Sequence, residues 1–143
     1  MIRIFRKNDL PAVMQIWLGT NIKAHDFIPK EYWMSNYAMV KNALPQAEIY
    51  VYVDDKTKEI DGFIGLTGNY IAGIFVKNGT QSKGIGKQLL DYAKNIKSSL
   101  RLSVYQKNVR AVCFYQREHF VIQSEHMDDD TNEKEFAMVW SCQ

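Results

Sequence analysis

The chain changes its period once, abruptly, at a glycine-bearing loop. Tyr70-Ile71-Ala72-Gly73-Ile74-Phe75-Val76 is an apolar run of strand length and reads as a strand. Gln81-Ser82-Lys83-Gly84-Ile85-Gly86-Lys87 follows a few residues later. From Ile85 the spacing is helical, with Ile85, Leu89, Tyr92, Ala93 and Ile96 on one face. A strand that feeds a helix this way belongs in an α/β layer structure. It also creates a site. The first amides of a helix lack intrahelical acceptors, and with the helix dipole they favour an anion. Gly84 and Gly86 remove side chains from the approach of a diphosphate, Lys83 and Lys87 add charge, and the Ser82 hydroxyl adds a donor.

Two nucleotide-binding loops fit less well. A dinucleotide fingerprint needs a third glycine, and a P-loop needs GxxxxGK followed by Ser or Thr. Neither run is present. Taken alone, QxxGxG is also compatible with an ordinary strand-to-helix turn.

The flanking segments extend the pattern. Ile2 to Arg6 alternates as a short strand. Asn8 or Asp9 then caps a helix with Pro11 in its first turn and Leu10, Val13, Met14 and Trp17 on its apolar face. An irregular His25-Asp26-Phe27-Ile28-Pro29 precedes a helix from Lys30 to about Ala43, ended by Pro45. Ile49 to Val53 and Ile60 to Leu66 read as a hairpin across Asp54 to Lys58, with Gly62 and Gly65 marking bulges. Leu100 to Val104 is a strand and Asn108 to Arg117 a short helix. Phe120 to Ile122 and Phe136 to Trp140 are closing strands, joined by a hydrophilic turn that carries Asp128-Asp129-Asp130. Two helices interrupt the strands of the second half, which predicts a mixed sheet with helices on both faces. No linker divides residues 1–143, so one domain is expected.

Composition narrows the function. The net charge of +2 comes from scattered residues, not from the clustered basic face of a nucleic-acid binder. No apolar run is long enough to span a membrane and no signal-peptide block opens the chain, so a cytoplasmic protein is expected. The two cysteines, Cys113 and Cys142, have no metal-ligand spacing, and none of the chemistry considered below needs a metal. Cys113 lies among apolar neighbours and reads as a buried free thiol.

Downstream of the loop come Val104-Tyr105-Gln106-Lys107-Asn108, then Ala111-Val112-Cys113-Phe114-Tyr115, then Phe120. A strand, QxxGxG, a helix, a strand, an Asn and an A-x-x-F-Y-x-x-x-x-F run, in that order, resemble the GNAT superfamily of N-acetyltransferases from Tyr70 to Phe120. Trp17, His25 to Phe27, Tyr32-Trp33 and Val104 to Asn108 resemble its bacterial YiaC/YjaB-type branch, whose members are implicated in protein lysine acetylation. The resemblance implies a GNAT fold, a central twisted mixed sheet of about seven strands. It implies acetyl-CoA as cosubstrate and an amine as acceptor: a protein lysine, a peptide N-terminus or a small amine. Small members of the family often form homodimers.

Site residues follow from the same resemblance. Ile74, Phe75 and Val76 would pair with the pantetheine arm, and Ser82, Lys83, Gly84, Ile85, Gly86 and Lys87 would hold the pyrophosphate. Asn108 would contact the cofactor, and Tyr115 would stand by the thioester sulfur and protonate the leaving thiolate. The residue types suit the chemistry. A backbone N–H near Ile74 or Phe75 can stabilise an oxyanion, and a phenol keeps its proton at neutral pH. Two positions depart from the family pattern. His119 stands where a glycine is common, and Ser103 stands where a glutamate base is common. Candidate bases are then His25, Glu48 and Asp26, with His25 preferred for its near-neutral pKa. His25, Phe27, Tyr32 and Tyr70 would line the acceptor side. The departures leave a second class open, a non-catalytic acetyl-CoA sensor or interaction module.

Overall fold

The computed structural model describes residues 1–142, the side chain of Ser82 excepted. One sheet of seven strands runs in the order β1-β2-β3-β4-β5-β7-β6. The strands are β1 (Ile2–Ile4), β2 (Glu48–Val53), β3 (Ile60–Thr67), β4 (Tyr70–Val76), β5 (Ser99–Tyr105), β6 (Val121–Asp128) and β7 (Glu133–Ser141). The helices are α1 (Leu10–Ala24), α2 (Lys30–Ala43), α3 (Ile85–Ile96) and α4 (Val109–Arg117). All neighbours are antiparallel except β4 and β5. That single parallel step is the one that needs a crossover helix, and α3 supplies it.

The two faces of the sheet have separate cores. Alternation on β2 sends Ile49, Val51 and Val53 to one face, where they meet Val13, Met14 and Trp17 of α1 and Trp33 of α2. On the other face Ile64, Leu66, Ile71, Leu102 and Val104 pack on Ile85, Leu89, Leu90 and Ala93 of α3 and on Tyr115 of α4. Leu89 and Leu90 are fully buried, and each such side chain contributes roughly 1.5–3 kcal/mol. Gly62 makes the α3 packing close: a Cβ there would come within 2.9 Å of the Phe75 carbonyl oxygen and 3.1 Å of Ile85. The bulges flank the expected glycines, with Asp61 skipped beside Gly62 and Ala72 skipped across from Gly65.

Some details differ from the reading of the sequence. Asp9 stands at the N-cap position of α1 but makes no cap bond; its carboxylate binds Arg3 at 2.8 Å and accepts the Arg6 N–H at 2.7 Å. Ile96 is exposed, and Leu90 takes its place in the stripe. Cys113 is exposed, because α4 buries Val112 and Tyr115 and turns Cys113 outward. β6 starts one residue later than expected and runs six residues beyond Ile122, from Val121 to Asp128, as an edge strand exposed along nearly all its length.

Candidate active site

The site begins where β4 and β5 part. Their pairing is confined to Tyr70↔Arg101 and Ile71↔Leu102. The Ala72 bulge, which adds local twist, comes directly after. Beyond it each strand stays with its outer neighbour: β4 pairs with β3 up to Val76↔Gly62, and β5 pairs with β7 up to Tyr105↔Glu135. Gly73, Ile74 and Phe75 therefore present backbone with no strand partner on the β5 side. An extended, amide-bearing ligand can take that edge as an added strand.

The glycine loop closes one end of this gap. Gln81 ties it together: its side-chain amide donates to the Val76 carbonyl at 2.9 Å and to Asn78 Oδ1 at 2.9 Å, and its oxygen accepts the Gly79 N–H at 3.0 Å. Gly84 has φ 73° and serves both as the end of a short 3-10 turn and as the N-cap of α3. Helical bonding starts with the Gln88 N–H to the Gly84 carbonyl at 3.1 Å, so the amides before it have no acceptor within the helix. Gly86 has an ordinary φ, and a Cβ there would meet only Phe114 and Val76 at 3.7 Å. Neither backbone nor packing demands a glycine at position 86, which is what a surface kept clear for a ligand looks like. The expected cation pair divides. Lys87 Nζ is held by Glu118 at 3.0 Å and Asp91 at 3.2 Å, with its pKa raised by both. Lys83 is in no ion pair among the described residues. The expected contact of the Ser82 hydroxyl lies outside the described residues.

Tyr115 stands on α4, 8% exposed, edge-on to Phe114 and Phe120. Burial, and next the nearby Tyr70, push its pKa well above the usual phenol value. The ring of Tyr70 carries the Arg101 guanidinium at 4.9 Å. His119 takes the left-handed turn after α4, with φ 74°, and the Phe120 N–H reaches back to the Tyr115 carbonyl at 2.9 Å. Histidine thus fills a place suited to glycine and keeps the turn.

On the acceptor side, His25 is wedged among rings. It is stacked on Trp33 at 5.3 Å and lies edge-on to Phe27 at 5.7 Å and Tyr105 at 5.1 Å. Burial pulls its pKa down to about 4, the Asn21 carbonyl offsetting a small part. Its Nε2 lies 3.2 Å from Asn108 Nδ2, and Asn108 is also the N-cap of α4, accepting the Ala111 N–H at 3.3 Å. The other base candidates are elsewhere: Asp26 is exposed, and Glu48 is bound to the Tyr50 hydroxyl at 2.6 Å and to Lys97 at 3.0 Å.

A carboxylate rim completes the cleft. The Tyr105 hydroxyl donates to Asp128 Oδ2 at 2.6 Å. Glu135, across from Tyr105, is bound to His126 at 3.0 Å, and burial followed by the Asp128 charge raises its pKa. Burial, and next the charges of Asp128, Asp130 and Glu135, raise the pKa of Tyr32 at the start of α2. Asp128, the first residue of the acidic run, is thereby tied to Tyr105 at the end of β5. Glu135 escaped the sequence reading because only the β5–β7 register brings it to Tyr105.

Comparisons with known proteins bear on the family and the fold. The model of the acetyltransferase (GNAT) domain family matches residues 45–122. The peptidyl-lysine N-acetyltransferase YiaC of Escherichia coli K12 is 34% identical over 98% of this chain and 96% of its own. The solution structure of apo-form YjaB from Escherichia coli superposes with a TM-score of 0.87 at 24% identity, covering 100% of this chain and 98% of the other. A putative streptothricin acetyltransferase from Bacillus anthracis, solved in complex with acetyl coenzyme A, matches with a TM-score of 0.59 at 25% identity over 66% of this chain and 62% of that one.

Proposed function

Because the chain belongs to the GNAT acetyltransferase family, we propose that it moves the acetyl group of acetyl-CoA directly to the ε-amine of a protein lysine. The observation that carries this reading is the parting of β4 and β5, which leaves the β4 edge uncovered on one side and ends on the other at Tyr105, bound to Asp128 and paired with Glu135. The first side fits the cosubstrate. The β4 edge offers backbone hydrogen bonds, the α3 start offers free amides, and position 86 leaves room. Ile74, Phe75 and Val76 would hold the pantetheine arm, and the loop from Ser82 to Ile85, with Gly86, would hold the diphosphate. Lys83 would supply more of the charge than Lys87, whose ammonium is already neutralised. The second side fits a cationic acceptor. Carboxylates attract a lysine side chain, and the aromatic faces of Phe27, Tyr32 and Tyr70 can cover its methylenes.

Acetyl-CoA supplies an acyl group activated as a thioester, with a thiol as leaving group. The amine must arrive neutral, so its proton has to leave to water on the acceptor side, and one has to be supplied to the thiolate on the sulfur side. Tyr115 does the latter. Its raised pKa keeps the phenol protonated throughout the working range, ready to donate to the departing sulfur. The burial that raises the phenol raises a thiolate in the same place, so the two remain matched. A β4 amide near Ile74 or Phe75 would polarise the carbonyl. Similarity to YiaC, named a peptidyl-lysine N-acetyltransferase, supports lysine ahead of a peptide N-terminus or a small amine.

Acetyl-CoA binding by calorimetry, followed by thiol release with lysine peptides and polyamines, tests this. Wild type and Tyr115→Phe should bind acetyl-CoA alike, while Tyr115→Phe loses about 10²–10⁴ in turnover. Release with polyamines but not peptides would move the acceptor to small amines. Binding without release by wild type would favour a sensor.

A further inference from the structure

His25 and Asn108 lie 83 residues apart in sequence and touch in the structure. What that contact allows follows from donor and acceptor counting. The Asn108 side chain caps α4, and the atom that accepts the Ala111 N–H must be its oxygen, Oδ1. The amide is therefore oriented, and Nδ2 is the atom left facing His25. An amide nitrogen donates and does not accept. So the imidazole Nε2, at 3.2 Å, must be the acceptor, and the ring proton sits on Nδ1. Nδ1 is buried and has no hydrogen-bond partner; the Asn21 carbonyl, which accepts the His25 backbone N–H, offsets part of the effect of burial on the ring.

We infer that His25 is a positioning residue and not the general base: its Nε2 accepts from Asn108 and so fastens the α1–α2 segment, the acceptor wall, to the start of the helix that carries Tyr115. A base needs a lone pair free to meet the amine. The Nε2 lone pair is occupied and the Nδ1 edge is closed to solvent, so neither nitrogen offers one. The ring packing points the same way. Trp33 stacks on His25, and Phe27 and Tyr105 meet it edge-on, which fixes the plane that aims Nε2 at Asn108. The charged groups around this cluster stand beyond those rings. Asp128 lies past the Tyr105 hydroxyl, and Lys107 lies over the outer side of Phe27 at 5.6 Å. The latch also explains why a cap residue on α4 should matter to the acceptor. One asparagine joins the α1–α2 segment to the helix that carries Tyr115.

The catalytic consequence rests on the transferase reading above, but the tautomer does not, so the test has two arms. In the first, long-range ¹H–¹⁵N correlation of the imidazole should show a neutral, Nδ1-protonated ring between about pH 5.5 and 8.5, with no titration near the free value. Asn108→Asp keeps the α4 cap but presents only acceptors to Nε2, so it should move the ring proton to Nε2 or charge the ring. An Nε2-protonated wild-type ring, or one titrating near neutrality, overturns the assignment. In the second arm, His25→Ala should lose about ten- to a hundredfold in kcat/KM for the peptide. His25→Gln, whose amide oxygen can accept from Asn108 but cannot act as a base, should recover to within about threefold of wild type with an unchanged pH–rate profile. A Gln variant as poor as Ala overturns the positioning role. Wild-type inactivity would count against the transferase reading, and the spectroscopic arm would still decide the hydrogen bond.

Discussion

At the scale of single residues, His119 shows a family-typical place filled by an atypical side chain. The turn after α4 needs a left-handed residue, and His119 supplies it with φ 74°. The Phe120 N–H then bonds the Tyr115 carbonyl and the His119 N–H bonds that of Gln116, which closes the helix end. The left-handed conformation costs a non-glycine residue roughly 1–2 kcal/mol. His119 is exposed and repays little of that by packing. Replacing it with glycine should therefore stabilise the protein, although glycine's own entropy in the unfolded chain takes back part of the gain. The net expectation is a gain of about 0.5–1 kcal/mol for His119→Gly, read as a higher urea midpoint with unchanged slope. A loss would mean that the imidazole makes a contact worth more than the strain.

At the scale of elements, the α3 entrance separates what the fold requires from what the ligand requires. Gly84 is required by its backbone, whereas Gly86 has an ordinary φ and 3.7 Å of clearance around an added Cβ. In a helix, alanine is better than glycine by about 0.5–1 kcal/mol. Gly86→Ala should therefore keep or raise the melting temperature and still weaken acetyl-CoA binding by about tenfold, a loss near 1.4 kcal/mol. Calorimetry beside a thermal melt reads both, and unchanged binding would remove position 86 from the diphosphate site. Elements also show how far the sequence could be read. β4, α2 and the α3 entrance were legible because each has an apolar pattern bounded by Gly or Pro, and the observed β4 and α2 bounds match those expected. β6 was not, because an edge strand exposed on both faces has no alternation to detect. Its missing residues are the ones that bring Asp128 to Tyr105, so half of the acceptor wall was hidden with them. The His25–Asn108 contact was hidden for a related reason. Both residues stood out as candidates, but only the folded chain shows that each uses the other.

At the scale of the whole molecule, burying a histidine in its neutral form ties stability to pH. The folded pKa of His25 is about 4, against 6.5 for the free group. Between those values the unfolded chain holds a proton that the folded chain does not, so stability falls as pH falls through that window. The full gap corresponds to roughly 3 kcal/mol. Glu135 works in the opposite sense. Its folded pKa is raised, so its contribution is fully present below the unfolded value and is lost as pH rises through the folded one, which blunts the lower part of the His25 slope. Asp9 takes over in stronger acid. Its hydrogen bonds to Arg3 lower its pKa, so the stability it adds is present above the free carboxylate range and lost as pH falls through its folded value. The window between about pH 6.5 and 5 is thus set largely by the one histidine. Wild type should lose about 3–8 °C of melting temperature across it, while His25→Gln, which has no proton to gain, should stay nearly flat. The comparison is internal, because every carboxylate is common to both proteins. Parallel slopes would mean that the ring is not held neutral, and that the acid sensitivity comes from groups other than His25.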